Sequence, residues 1–432
     1  MKEMLANIPE SGMKRVVIAG AGFGGLRLAR RLAGRSFQVV LLDRNNFHSF
    51  QPLFYQVAAS GIEPGAIAFP LRKIFHGCAN IHVRMAAVDR IFPERNMIET
   101  GMGRLAYDYL VLATGADNNF FGNDSISRNS LPMKTLYESL QLRNSILDRF
   151  EKALAVTDPL EHQRLMTMVI VGGGPTGVEI AGALAEMKRF VLPMDYPELD
   201  FSPMRIIVVE GASRLLQAMS EIASLKSLEY LKDMGVDVVL DRQVGDFDGM
   251  KALLSDGSSI PTQTLIWAAG IKGAVVEGLG PESVTRGNRV LVDRYCRVKG
   301  HDNIFAIGDL ACMAEERYPG GHPQVAQAAI QQADLMADNL LLAQRGREMK
   351  PFAYADKGAL ATVGRNRAVV DLKRLRFQGL LAWFFWMFIH LMALVGVKNR
   401  LMIFINWAYY YFTYDQSFRL IIRSGDEKSL MR

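Results

Sequence analysis

Apolar positions in this chain fall into short unbroken runs rather than an alternation. "RVVIAG" at 15–20, "FQVVLLD" at 37–43, "YLVLATG" at 109–115, "MVIVGG" at 168–173, "RIIVVE" at 205–210, "TLIWAAG" at 264–270 and "NIFAIGD" at 303–309 each end in glycine or an acid. Strands buried on both faces by crossover helices read this way, so each run predicts one strand of a parallel sheet. After the first and fourth runs the apolar spacing becomes helical, in "GFGGLRLARRLA" and "PTGVEIAGALAE", and a further helix is predicted over "HPQVAQAAIQQADLMADNLLLAQ". "YADKGALATVGRNRAVVDL" alternates like exposed-edge strands, and the chain ends in two aromatic apolar stretches, 380–396 and 401–414.

The runs repeat as a set. A strand, a glycine turn, a helix, a strand ending in an acid and a later strand ending in Ala-Thr-Gly or Ala-Ala-Gly occur twice, starting at Val16 and at Met168. The fold class expected is therefore α/β, with two Rossmann-like dinucleotide-binding domains and a C-terminal membrane-associating helical region. The second fold is expected to be inserted in the first. This assigns 1–135 with 286–350 to one dinucleotide, 136–285 to the other, and 351–432 to C-terminal strands and helices.

At 432 residues, half of them hydrophobic, the chain is long enough for two or three packed domains. Three separated cysteines without CxxC spacing suggest no disulfide framework and no metal site, and fit a reducing compartment. The N-terminus has neither an apolar core nor an arginine-rich, acid-poor character, so no leader is expected. The net charge of +6 is concentrated from Lys373 onward, where nine basic side chains meet three acids; the rest is balanced and offers no field for nucleic acid.

Gly20, Gly22 and Gly25 form GxGxxG between a predicted strand and helix, and Asp43 ends the next strand at the distance expected of the acid that accepts ribose hydroxyls. The first glycine permits the tight turn, the second lets pyrophosphate approach the backbone, and the third lets helix and strand pack. Ala113, Thr114 and Gly115 close this fold. Gly172, Gly174 and Gly177 repeat the pattern, and Glu210 plays the part of Asp43 after an insertion. A carboxylate there favours NADH over NADPH, because it repels a 2′-phosphate. Two dinucleotide sites suggest a flavin and a nicotinamide arranged for hydride transfer. Asp309, at the end of a third strand, is a further candidate for the flavin, or simply a helix N-cap.

"GAGFGG", "NNFHSFQPLFYQVA", "LATGA", "GGGPTGVEIAGALAE", "FAIGD", "AQAAIQQ" and "INWAYYYFTY" together resemble the type II NADH dehydrogenases, single-chain NADH:quinone oxidoreductases, over nearly the whole sequence. The resemblance implies noncovalent FAD in the first fold, NADH in the second, and two-electron reduction of a membrane quinone such as ubiquinone without proton pumping, as part of a respiratory chain. It also implies that Gln327, Gln331 and Gln332 line the quinone approach. Gln327 and Gln331, one turn apart, would present two amides to a carbonyl. Glu179 is implied near the reacting rings, against the simpler reading of a carboxylate at a positive helix end. Lys357 is implied to steady negative charge on the reduced ring, against that of an exposed turn lysine.

Quinones reside in lipid. The two tail stretches, at or below the ~20 residues of a span, hold three of the four tryptophans, the composition of an interfacial belt. With the basic residues from 373 to 432 they predict peripheral, monotopic attachment at the cytoplasmic face of a bacterial inner membrane; a homodimer interface is the competing use of the same side chains. Two other functions share the architecture: a sulfide:quinone or disulfide-reductase-like flavoprotein, which requires redox cysteines and leaves only Cys312 as a candidate, and an NADH-responsive binding module.

Overall fold

A computed structural model describes residue 4 and residues 7–415 and 418–422; Arg423, Lys428 and Arg432 of the basic tail lie outside them. The chain divides into two compact units. One comprises residues 1–49, 68–117 and 271–356, the other 50–67, 118–270 and 357–432.

The first unit is built on a five-stranded parallel sheet in the order Ile304–Ala306, Tyr109–Leu112, Arg15–Ala19, Gln38–Asp43, Ile81–Met85. Val17 sits centrally, opposite Val40 on one side and Leu110 on the other. Val16, Val17 and Ile18 are all fully buried, as unbroken apolar runs demand when both faces of a sheet are covered. A three-stranded antiparallel sheet, Val88–Phe92, Met97–Thr100 and Gly103–Ala106, interrupts the path from the third strand to the Ala-Thr-Gly strand. The glutamine-bearing helix Ala326–Gln344 packs along the first glycine helix, Phe23–Leu32, and Arg27 pairs with Asp334 across them at 2.7 Å.

The second unit repeats this plan. Its parallel sheet runs Leu131–Pro132, Thr264–Trp267, Thr167–Val171, Arg205–Val209, Asp237–Val239, again with an antiparallel three-stranded excursion, Val244–Phe247, Lys251–Leu254 and Ser259–Pro261. Val169 lies between Ile207 and Leu265, the place Val17 holds in the first sheet. The second glycine helix, Pro175–Glu186, continues into a π-helical turn at Met187–Val191.

The insert begins near residue 118 rather than 136, and the C-terminal part is no separate third body. Its antiparallel sheet, Ala359–Thr362, Ala368–Asp371 and Arg376–Gln378, lies against the second glycine helix. The approach is so close that a Cβ on Gly182 would sit 2.6 Å from the Gly364 nitrogen. The segment 50–67 belongs here too, because its helix Phe54–Ala58 packs on Leu136–Ala153 and Pro175–Glu186. Asn399 donates to the carbonyl of Ala66 at 2.9 Å.

The tail forms two helices, Leu380–Ala393 and Val397–Thr413. Ala382 and Trp386 of the first and Asn399, Ile403 and Trp407 of the second make buried stripes at helical spacing, while Leu381, Phe384, Phe388, Met392, Val397, Leu401, Phe404 and Phe412 are exposed. Trp386 and Trp407 therefore face the protein interior, and the exposed apolar surface is aliphatic and phenyl instead of a tryptophan belt. The reason is local: each indole has a partner within the protein, Trp386 stacking on His390 at 4.0 Å and Trp407 donating to Gln56 at 2.8 Å. Among the described residues no helix is long and apolar enough to cross a membrane.

Candidate functional site

The two glycine turns are built alike down to single hydrogen bonds. Gly20 has φ +103°, and a Cβ there would stand 2.3 Å from the Ala113 oxygen; a Cβ on Gly25 would meet the Gly20 oxygen at 1.8 Å. Gly22 is different, for a Cβ there would meet nothing within 4 Å. In the second turn Gly172 (φ +106°) is closed off by the Ala268 oxygen at 2.6 Å and Gly177 by the Gly172 oxygen at 1.8 Å, and Gly174 is open. The first and third glycines thus serve packing. The middle one leaves free space at the N-terminus of a helix, where backbone N–H groups attract phosphate. Each cradle therefore fits a dinucleotide pyrophosphate.

The strand-end acids brace the same turns. Ala21 N–H donates to Asp43 Oδ2 and Asn45 N–H to Asp43 Oδ1, both at 2.7 Å. Gly173 N–H donates to Glu210 Oε2 at 2.5 Å and Ala212 N–H to Glu210 Oε1 at 2.8 Å. Burial pushes the Asp43 carboxyl up, against the pull of those N–H groups and of Arg44. Thr114 donates through its hydroxyl to the Ala274 carbonyl at 2.6 Å, and Gly115, at φ +76°, accepts from Ala274 N–H at 3.0 Å, so the Ala-Thr-Gly end is tied to the returning chain. Asp309 lies half-buried in a short 3-10 turn, Gly308–Leu310, whose N-cap is Ile307.

The glutamines sit on Ala326–Gln344 and are largely engaged. Gln331 donates to the Ala355 carbonyl and accepts from Ala355 N–H, both at 2.9 Å, and buried Gln332 accepts from Gly308 N–H at 2.7 Å. Gln327 is half-buried at the helix start. Gln331 thus spends its amide on the 355 segment. Lys357 is exposed, two residues before the C-terminal sheet.

Glu179 lies five residues past Gly174, buried, with its Oε1 3.5 Å from Thr362 N–H. Burial pushes its carboxyl up to about 8; Thr362 N–H and the Trp386 indole offset only part of this. A carboxylate drawn to a positive helix end would be held down instead, so loss of water dominates.

Sequence reasoning passed over an aromatic-walled cavity, partly open to solvent. Tyr55 and Gln56 from the Phe54–Ala58 helix, Glu186, Arg365 from the C-terminal sheet turn, and Trp386 and Tyr410 from the tail helices line it. Two signals were available: "NNFHSFQPLFYQVA" carries Tyr55 and Gln56, and Glu186 follows Glu179 by two helical turns in an apolar stretch. Cys78, Cys296 and Cys312 are all free thiols, with Cys296 and Cys312 buried, and no group of metal-ligating side chains occurs among the described residues.

Residues 14–333 match the family described as pyridine nucleotide-disulphide oxidoreductase, and residues 357–413 the NDH2 C-terminal domain. The type II NADH:quinone oxidoreductase NdhA of Mycobacterium tuberculosis is 35% identical, the alignment covering 92% of this chain and 87% of that protein. That of Haemophilus influenzae is 30% identical over 83% of this chain and 87% of its own. The structure of NDH2 from Plasmodium falciparum in complex with NADH shares the fold, with a TM-score of 0.88 at 20% identity over 95% of this chain and all of that one. Paired cradles, a C-terminal sheet closed on the second of them and relatives spanning almost its full length place this chain in the type II NADH:quinone oxidoreductase family.

Proposed function

We propose that the chain oxidises NADH and reduces a membrane quinone, with FAD held by the first cradle and NADH by the second. The observation that carries this reading is the duplicated turn, open only at Gly22 and Gly174, with Asp43 and Glu210 fixed beside it. FAD, when bound, supplies the hydride acceptor and the two-electron donor. Gly20, Gly22, Gly25, Asp43, Ala113, Thr114, Gly115 and Asp309 are the residues assigned to it; Gly172, Gly174, Gly177 and Glu210 are assigned to NADH. The Glu210 charge disfavours a 2′-phosphate. Quinone is assigned to the aromatic cavity, whose walls come partly from the tail helices. Gln327, with Gln331 and Gln332 holding the backbone around it, and Lys357 remain assigned to the quinone and flavin end through family likeness. Glu179, protonated at neutral pH, is a proton holder within the same unit. The test is spectroscopic. Anaerobic NADH should bleach the yellow protein, and a short-chain quinone should restore the colour; a flavin band untouched by NADH would overturn the assignment. Cys312→Ser should leave this cycle unchanged, and sulfide-driven quinone reduction that disappeared in that variant would overturn the reading.

The exposed faces of the tail helices support attachment to the bilayer surface, on the side where NADH is made. About six apolar side chains leaving water at ~1.5–3 kcal/mol each would contribute on the order of 10 kcal/mol before ordering costs. Exposed Lys373, Arg374 and Lys398 could add ~1 kcal/mol each on anionic lipid. Joint replacement of Phe384, Phe388 and Phe404 by Asp is expected to release the protein from anionic vesicles while NADH:ferricyanide turnover persists. Continued sedimentation with vesicles would refute lipid docking, and a wild-type dimer in lipid-free buffer that becomes monomeric in the variant would instead mark the faces as a subunit interface.

A further inference from the structure

The aromatic cavity contains more acid–base chemistry than a binding site for a neutral ring requires. Glu179 and Glu186 are seven residues apart on one helix, which puts both on the same face, roughly 10.5 Å apart along the axis. Both are buried, at 8% exposure each. Among the described residues neither makes a side-chain ion pair. Glu186 accepts from Arg365 backbone N–H and, at 2.8 Å, from the Tyr410 hydroxyl. The Arg365 guanidinium donates to the Tyr411 carbonyl and lies over the rings of Tyr411 and Tyr414 at 4.0 Å each, acting on Glu186 only through its charge.

Tyr55 lies within the electrostatic reach of both acids. Gln56, oriented by Trp407 N–H at 2.8 Å, donates through Nε2 to the Tyr55 hydroxyl at 2.8 Å. A phenol that accepts from an amide must direct its own proton elsewhere, and Tyr55 lines the cavity. Trp386, 1% exposed, turns its indole N–H towards Glu179 and helps to hold that carboxyl's charge. The cavity wall therefore carries a carboxyl and two phenols, with Glu179 reached through Thr362 and Trp386.

The reaction needs such groups. NADH, one proton and a quinone give NAD⁺ and a quinol; the hydride brings two electrons and one proton, and the second proton on the quinol oxygens must come from water. An apolar cavity conducts protons only through groups that can hold them. We propose that Glu186, with the hydroxyls of Tyr410 and Tyr55, is the station that carries this water-derived proton into the cavity, with Gln56 and Trp407 as positioning residues. The proposal rests on the assignment of quinone to this cavity. In each turnover the Glu186 carboxyl gives its proton towards the ring and is reprotonated from the solvent-facing side. The groups facing Glu186 fit a donor that must also let go: Arg365 and Arg367 from the C-terminal sheet, Tyr410 from the second tail helix and Tyr55 from the Phe54–Ala58 helix, with Lys188 and Arg189 in the next turn of its own helix. Burial raises its carboxyl, and Arg365 N–H, Tyr410 and the two guanidiniums draw it back down.

Glu186→Gln and Tyr410→Phe test this with two acceptors, a short-chain quinone that takes up protons and ferricyanide that takes electrons alone. Glu186→Gln is expected to slow quinone turnover about tenfold or more above pH 7, with quinone KM little changed, a larger solvent deuterium isotope effect and unaltered ferricyanide turnover. Glu186→Asp should restore part of the rate, and Tyr410→Phe should move the pH profile for quinone only. In the resting protein, an infrared band of a protonated buried carboxyl should disappear in Glu186→Gln. Equal loss with both acceptors, or an unchanged quinone rate, would overturn the relay; should Glu186→Gln not fold, Tyr410→Phe decides by the same comparison. The quinone assignment is checked separately by Met387→Trp, which fills the cavity: if quinone KM stays as it was, the ring binds elsewhere.

Discussion

Gly174→Val is expected to give a folded, yellow protein that dithionite still reduces but NADH does not. Gly174 sits at φ −72° and ψ −178°, extended backbone open to any residue, and a Cβ there meets nothing within 4 Å. Folding should therefore tolerate valine. The branched side chain would occupy the space in which a pyrophosphate must approach the helix N-terminus. A loss of about a hundredfold in kcat/KM for NADH, about 2.7 kcal/mol of transition-state binding, is expected from stopped-flow bleaching. Gly177→Ala provides the contrast: its methyl would lie 1.8 Å from the Gly172 oxygen, so this variant should lose thermal stability first. The mirror pair in the other cradle, Gly22→Val and Gly25→Ala, should separate loss of colour from loss of fold. If Gly174→Val retains wild-type NADH kinetics, the second cradle is not the nicotinamide site.

The contrast works because the division of labour among the glycines was already visible as spacing. Two turns at equal register, each followed by a helix and by an acid at a strand end, left little freedom for the parallel sheets or for Asp43 and Glu210. What stayed hidden depended on tertiary approach. The 50–67 segment and residues 357–413 join the second fold through Gly182 against Gly364 and Asn399 on Ala66, contacts that no local pattern reveals. The glutamine motif was legible as a helical face. That Gln331 and Gln332 spend their amides on Ala355 and Gly308 was not, since periodicity cannot show what a polar side chain meets. Tryptophans in the tail misled for a related reason: an indole suits a lipid boundary and an enclosed aromatic cavity equally well.

Buried Glu179 should make wild-type stability fall with rising pH in a window that Glu179→Gln does not share. An exposed glutamate gives up its proton near 4.5, whereas in the folded chain Glu179 keeps it to about 8. Between those values the folded state holds one more proton than the unfolded state. Stability contributed by that proton is fully present below pH 4.5, declines by up to ~1.4 kcal/mol for each unit, and is gone above pH 8. Over the whole window the difference is on the order of 5 kcal/mol, while glutamine, uncharged throughout, carries no such penalty. Urea midpoints of the two proteins should coincide near pH 4.5 and separate progressively to pH 8, with Glu179→Gln the more stable; the histidines and other acids titrate in both and cancel in the difference. Parallel curves across this range would mean that Glu179 is already ionised in the folded protein. Glutamine would make the fold more stable at the pH where NADH is oxidised, so packing alone gives no reason for an acid at this position. Delivery of a proton does, and the same variant that gains stability is expected to reduce quinone more slowly.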